Sequence, residues 1–172
     1  MATNWDTLVA IHGPAVWATC CRLLGNRKAD AEECYQETWL AAWKAADGRA
    51  IVSWPSFLCR IATSRSIDRL RQRYRQQAAI GPPRSPQHED LAGLASDGAT
   101  PVELAVASEL SERLRIALAE LPERQAEVFS LHVLSDQSQP EIATLLDMTV
   151  NAVGVSLHRA RERLRQLLGE AN

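Results

Sequence analysis

The stretch AAIGPPRSPQHEDLAGLASDGATP, residues 78–101, constrains this chain most. It holds Pro82, Pro83, Pro86 and Pro101, half of the chain's eight prolines, with Gly81, Gly93 and Gly98 among them. Proline fixes φ and donates no amide hydrogen bond, so neither a helix nor a central strand runs through such a segment. No helical or strand period is sustained across it. It reads as a flexible, partly extended linker, and the rest of the chain must fold on either side of it. A length of 172 residues suits one domain or two small ones. The expected division is a first domain at 1–77, a linker at 78–107 and a second domain at 108–172. Halves of about 75 residues would each be modest in stability.

Both flanks read as helical, so the expected fold class is all-α: two small helical domains joined by a flexible linker. In the first, Gly13-Pro14 is expected to divide residues 5–12 from 14–24, and Gly25-Asn26 to end the second piece. DAEECYQETWLAAWKAA follows, with Asp30 as a cap and Glu33 three residues later in a capping-box arrangement. Alanines and unbranched residues favour helix to about Ala46, and Asp47-Gly48 stops it. Pro55 suits the opening turn of the next helix, which is expected to reach Gln77. All five tryptophans, from Trp5 to Trp54, lie in this first third, which therefore has its own core.

Charge is unevenly spread. The net charge of −2 divides into +4 over residues 1–77, −4 over 78–110 and −2 over 111–172. The basic excess gathers in SIDRLRQRYR, residues 66–75, where arginine stands at every second position. On a helix, Ile67, Leu70 and Tyr74 form an apolar stripe. Arg65, Arg69 and Arg73 line one flank of it and Arg71 and Arg75 the other, giving two basic rails beside an apolar seam. Asp68 is expected to pair with a neighbouring arginine.

Several classes are disfavoured. No uninterrupted apolar run approaches the roughly 18 residues that span a bilayer, so no membrane insertion is expected. The N-terminus lacks a basic region followed by an apolar one, which argues against a signal peptide and for a cytoplasmic location. Adjacent Cys20 and Cys21, with Cys34 and Cys59, fit neither a disulfide framework nor a metal knuckle and read as buried thiols. His12, His88, His132 and His158 are scattered. There is no glycine-rich phosphate loop and no nucleophile motif, so neither an enzyme nor a cofactor is expected.

The second flank is the more informative. After PVELAVASELSERLRIALAEL and ERQAEVFSLHVL, both helical in period, Ser138 and Glu141 form an S-x-x-E capping box with Pro140 in the first turn. A short helix at 139–146 is expected, then a sharp turn at Asp147, then a longer helix at about 150–168. Small Ala143, a turn residue at 147 and apolar Val153 have the spacing of a helix-turn-helix, which leaves the outer face of the second helix free for a major groove.

Two sets of motifs now stand in one order. ADAEECYQETWLAAW followed by FLCRIATSRSIDRLRQRYR resembles the second domain of bacterial extracytoplasmic-function (ECF) sigma factors of the sigma-70 family. LPERQAEVF followed by PEIATLLDMTVNAVGVSLHRAR resembles their fourth domain. The resemblance implies an RNA polymerase subunit directing promoter-specific initiation. It implies that Asp30, Glu32, Glu33, Gln36 and Glu37 dock on the polymerase β′ clamp helices, as an acidic face suits a basic partner. Loop residues 47–53 would capture a flipped base of the −10 element. Arg65, Arg69, Arg71, Arg73 and Arg75 would hold promoter phosphates, which give salt-dependent affinity and register. Residues 150–161 match the −35 recognition helix, and the fourth domain would also meet the β flap. The family carries Thr, Lys and Arg where this chain has Ala152, Gly154 and Ser156, and a glycine where it has Asp147. The remaining contacts are Asn151, Ser156, His158, Arg159 and Arg161. An anti-sigma factor that clamps the two domains is the usual partner. The weakened recognition helix raises a second reading, a sigma-like mimic that sequesters an anti-sigma factor and binds DNA poorly.

Overall fold

The computed structural model describes residues 4–25, 27–46, 51–80 and 101–169. Among these residues every regular element is a helix. Three form the first unit: α1 (Trp5–Leu24), α2 (Lys28–Ala46) and α3 (Trp54–Ile80). Four form the second: α4 (Pro101–Glu120), α5 (Glu123–Val133), α6 (Gln139–Leu146) and α7 (Val150–Gly169). Residues 81–100 of the expected linker lie outside the described residues, and α3 and α4 occupy the ends of the span first assigned to it.

The expected break at Gly13-Pro14 does not occur. α1 runs continuously with Pro14 inside it. A mid-helix proline forfeits one hydrogen bond and crowds the turn before it. Burial of Val16, Thr19, Cys20 and Leu23 on one side of α1 outweighs that cost. Gly13 is buried where an added Cβ would stand 2.8 Å from the Tyr35 hydroxyl, so this glycine serves the approach of α2 rather than a chain break. The chain breaks instead at Gly25, whose φ of 71° and bond to the Cys21 carbonyl end α1.

α2 also begins earlier than expected. The Ala31 amide bonds to the Arg27 carbonyl at 3.0 Å, which places Asp30 inside the first turn instead of at the cap. There its charge complements the helix dipole.

The first core gathers Val16, Cys20, Leu24, Cys34, Leu58 and Leu70. Edge-to-face rings surround it: Trp5 on Trp54 at 5.6 Å, Trp17 on Tyr35 at 5.9 Å and Tyr35 on Trp39 at 6.1 Å. Burial pushes the Cys20 thiol up to about 12 and the Cys34 thiol up to about 11, so both are neutral packing groups. By length and composition α1 could cross a membrane, with a mean hydropathy of 1.3. Here it is a wall of this core.

The second unit has its own core of Val128, Leu131, Ile142, Leu146, Val153 and Leu157. A third cluster joins the two units. Leu23 of α1 and Ile67 of α3 pack with Leu118 and Leu121 near the end of α4, Phe129 of α5 and Leu164 of α7. α3 serves all of this. Leu58, Ala62 and Leu70 fill the first core, while Ile67 turns to the second unit and the Tyr74 hydroxyl reaches Glu112 of α4.

Candidate functional site

Three surfaces carry the residues singled out above. The first is the outward face of α2. Its inward positions, Ala31, Cys34, Thr38 and Ala42, recur every three to four residues, which sends Glu32, Glu33 and Gln36 to the outside. Glu37 and Asp30 lie half-buried at the margin. The same face continues into Leu40 and Trp43, which are 52% and 58% exposed. The sequence reading does not single out Leu40, and it counts Trp43 with the other tryptophans of the first core. Their phase one turn beyond Gln36 was the available clue. An acidic rim around an exposed aromatic and a leucine is a protein-docking composition.

The second surface is α3. The two rails differ in fate. Arg65 and Arg75 are exposed, Arg69 and Arg71 are half-buried, and Arg73 is buried. Arg69 turns back to α2, where it pairs with Glu33 and stands 4.0 Å from Glu37. The Glu33 hydrogen bond raises its already high pKa. One residue first assigned to DNA and two assigned to polymerase are therefore bound to each other. Arg71 donates to the Leu121 carbonyl at 2.8 Å and more weakly to Ala119 at 3.4 Å. Arg73 lies 4.8 Å over the Tyr74 ring, donates to the Tyr74 hydroxyl at 2.8 Å and lies 3.8 Å from Glu112. Tyr74 donates to Glu112 at 2.8 Å, and its phenol is pushed up to about 12, mainly by burial. Asp68 is exposed and, contrary to expectation, makes no ion pair among the described residues.

Arg60 was not foreseen. Its Nη1 donates to the Leu145 carbonyl at 3.0 Å, and its Nε lies 3.4 Å from Glu127. Arg124 approaches the same carboxylate at 3.1 Å. Arg60 and Arg65 border a cleft of about 610 Å³ between α2, α3 and α5, near the end of α2. Of the loop at 47–53, residues 47–50 lie outside the described residues, while Val52 is fully exposed.

The third surface is the helix-turn-helix. Ser138 and Glu141 cap α6 reciprocally. Asp147 takes the left-handed conformation, φ 53° and ψ 52°, and its N–H reaches the Ala143 carbonyl, so aspartate makes the turn without glycine. Thr149 caps α7 by accepting from the Ala152 amide at 3.1 Å. Val153, Leu157, Ala160 and Leu164 face inward. Asn151, His158, Arg159 and Arg161 are exposed together, and Ser156 is half-buried. His158 lies 3.6 Å from Glu162. An exposed helix face preceded by a tight turn and a short supporting helix is the geometry that enters a major groove.

Comparison with known proteins agrees with this layout. The family profile described as Sigma-70 region 2 matches residues 8–76, and that described as Sigma-70, region 4 matches residues 111–164. The chain is 30% identical to the ECF RNA polymerase sigma factor SigW of Bacillus subtilis, over 94% of this chain and 87% of that one. It is 33% identical to the RNA polymerase sigma factor CnrH of Cupriavidus metallidurans, over 94% and 84%. The solved structure of CnrH in complex with the cytosolic domain of CnrY aligns with a TM-score of 0.57 at 28% identity, covering 98% of this chain and 89% of that one. The sigma factor RpoE in complex with the anti-sigma factor NepR, from Bartonella quintana, shares the fold with the same TM-score at 22% identity, covering 98% of both chains. With helices, turn and both matched regions in one order, this chain belongs to the ECF sigma factors of the sigma-70 family and acts as an RNA polymerase sigma factor in promoter-specific initiation.

Proposed function

We propose that each surface has a separate task. The outward face of α2, with Glu32, Glu33, Gln36, Leu40 and Trp43, docks on a basic helical element of core RNA polymerase. The exposed arginines of α3 hold promoter phosphates beside the −10 element. The face of α7 bearing Asn151, His158, Arg159 and Arg161 meets the −35 element. The observation that supports this best is the joint exposure of those four α7 side chains over a capped, correctly turned helix pair. With Ala152 and Gly154 on the same helix there are few base-reading groups, so most of the affinity there comes from phosphates and groove shape. The protein supplies binding and orientation and leaves covalent chemistry to the polymerase. An anti-sigma factor is a partner by analogy with the solved complex of RpoE with the anti-sigma factor NepR. The work belongs in the cytoplasm, with α1 spent on the first core. The mimic reading is not favoured, since a mimic has no use for a basic, exposed recognition face.

Two variants separate the tasks. Arg159→Ala with Arg161→Ala lowers promoter affinity and flattens its logarithmic salt slope by about 1–2, leaving assembly with core enzyme intact. Glu32→Lys with Trp43→Ala weakens core assembly about tenfold or more and leaves binding to free DNA intact. Fluorescence anisotropy and run-off transcription measure both. An unaltered salt slope in the first variant, or normal holoenzyme assembly in the second, removes the corresponding assignment.

A further inference from the structure

Gly154 leaves a gap in the exposed face of α7. It stands three residues after Asn151 and four before His158, so the three share one stripe, with Arg161 a further turn along. Asn151, His158 and Arg161 are exposed there, and glycine puts no side chain between them. A group from another helix stands over the bare position. A Cβ built on Gly154 would meet the Gln139 Oε1 at 3.4 Å, and Gln139 is the first residue of α6.

The backbone of Gln139 is held on both sides. Ser138 and Glu141 close the capping box around it through bonds of 2.6 Å and 2.8 Å, and Pro140 fixes the next φ. Its side chain is half-buried, and its amide makes no hydrogen bond among the described residues. Both the donor and the acceptor of that amide are therefore unspent. Adenine offers the matching pair on its major-groove edge, N7 as acceptor and N6–H as donor, and one amide side chain takes both. Because the first turn of α6 is already fixed, the contact orders a single side chain and little else.

We infer that Gln139 of α6 is a base-reading residue, whose amide passes over the bare Gly154 backbone into the row of Asn151, His158 and Arg161 and selects an A·T pair there. This rests on the reading of α7 as a major-groove helix and adds to it a contact from outside that helix. Glycine at 154 then has a purpose. A side chain much longer than alanine would occupy the space through which the amide reaches, while a single methyl stands at ordinary contact distance from it.

The test uses the full chain assembled with core RNA polymerase and a pool of DNA duplexes carrying a randomised stretch, sequenced after selection. Wild type enriches an A·T pair at a position that Gln139→Ala leaves unselected, with the other positions unchanged. Replacing that pair by G·C lowers wild-type affinity about tenfold and that of Gln139→Ala less than about twofold. Gln139→Glu, whose carboxylate only accepts, moves the preference toward a C·G pair, since cytosine N4 donates. Gly154→Leu blocks the gap and gives the same loss of preference as Gln139→Ala, with no further loss when the two are combined. Far-ultraviolet circular dichroism at wild-type helix content verifies that each variant folds. A residue that only packs would alter stability and leave base preference alone. A Gln139→Ala pool identical to that of wild type therefore overturns the inference, and the reading of α7 survives it if Arg159→Ala with Arg161→Ala still flattens the salt slope. An unaltered slope removes that reading, and this contact with it.

Discussion

Glu141 accepts two hydrogen bonds from Ser138, one from the hydroxyl at 2.6 Å and one from the amide at 2.8 Å. These bonds, the hydroxyl's first, hold its carboxyl below the ordinary value of 4.5. The unfolded chain then binds the proton more tightly than the folded one. The contribution of the cap is complete above pH 4.5 and is lost as pH falls through the lowered value. The melting-temperature gap between wild type and Glu141→Gln should therefore narrow as pH is taken from about 6 to about 3. A gap that stays constant would mean the carboxylate charge adds nothing to the cap. The S-x-x-E spacing made this box legible in advance. The similar Asp30–Glu33 spacing misled, because a box needs its first residue at the cap, and the Arg27 carbonyl had already started α2. Gly25 shows the opposite limit. Its positive φ was legible as a helix stop. That an added Cβ would stand 2.7 Å from the Arg115 guanidinium carbon, 90 positions along the chain, was not.

At the scale of elements, α7 carries a local cost. Gly154 lies within it at a half-buried position, and glycine there costs up to about 1 kcal/mol against alanine. A Cβ at that position would meet only the Gln139 side-chain oxygen at 3.4 Å, the far end of a flexible, half-buried side chain. Gly154→Ala should therefore raise stability by about 0.5–1 kcal/mol in denaturant melts, with an unchanged slope. A loss of stability would show that α6 and α7 need the bare backbone for their approach. The extents of α5, α6 and α7 follow their sequence signals closely, since proline, capping residues and apolar period agree at each end. α1 disagrees with its signal because a helix is decided by the face it buries more than by one proline.

For the whole molecule, the third apolar cluster makes the two units depend on each other. Leu118 is almost fully buried in it, against Leu23 and Ile67 of the first unit. Leu118→Ala should cost about 2–5 kcal/mol. Every tryptophan lies in the first unit, so tryptophan fluorescence reports that unit alone. Its melting transition should nonetheless shift downward with this substitution in α4. An unmoved tryptophan transition would mean that the units melt independently. What the sequence by itself determined is local: the helices, the αL turn at Asp147, the outward face of α7, the acidic face of α2 and the clustering of arginines on α3. These follow from spacing over a few residues, where period, caps and turn chemistry act. Only the tertiary structure decided where the guanidiniums are spent. Arg73 meets a carboxylate 39 positions away and Arg60 a carbonyl 85 positions away, and no local period records either partner. A charge on a helix is written in the chain, but its counter-charge is chosen by whichever helix end the fold brings within reach.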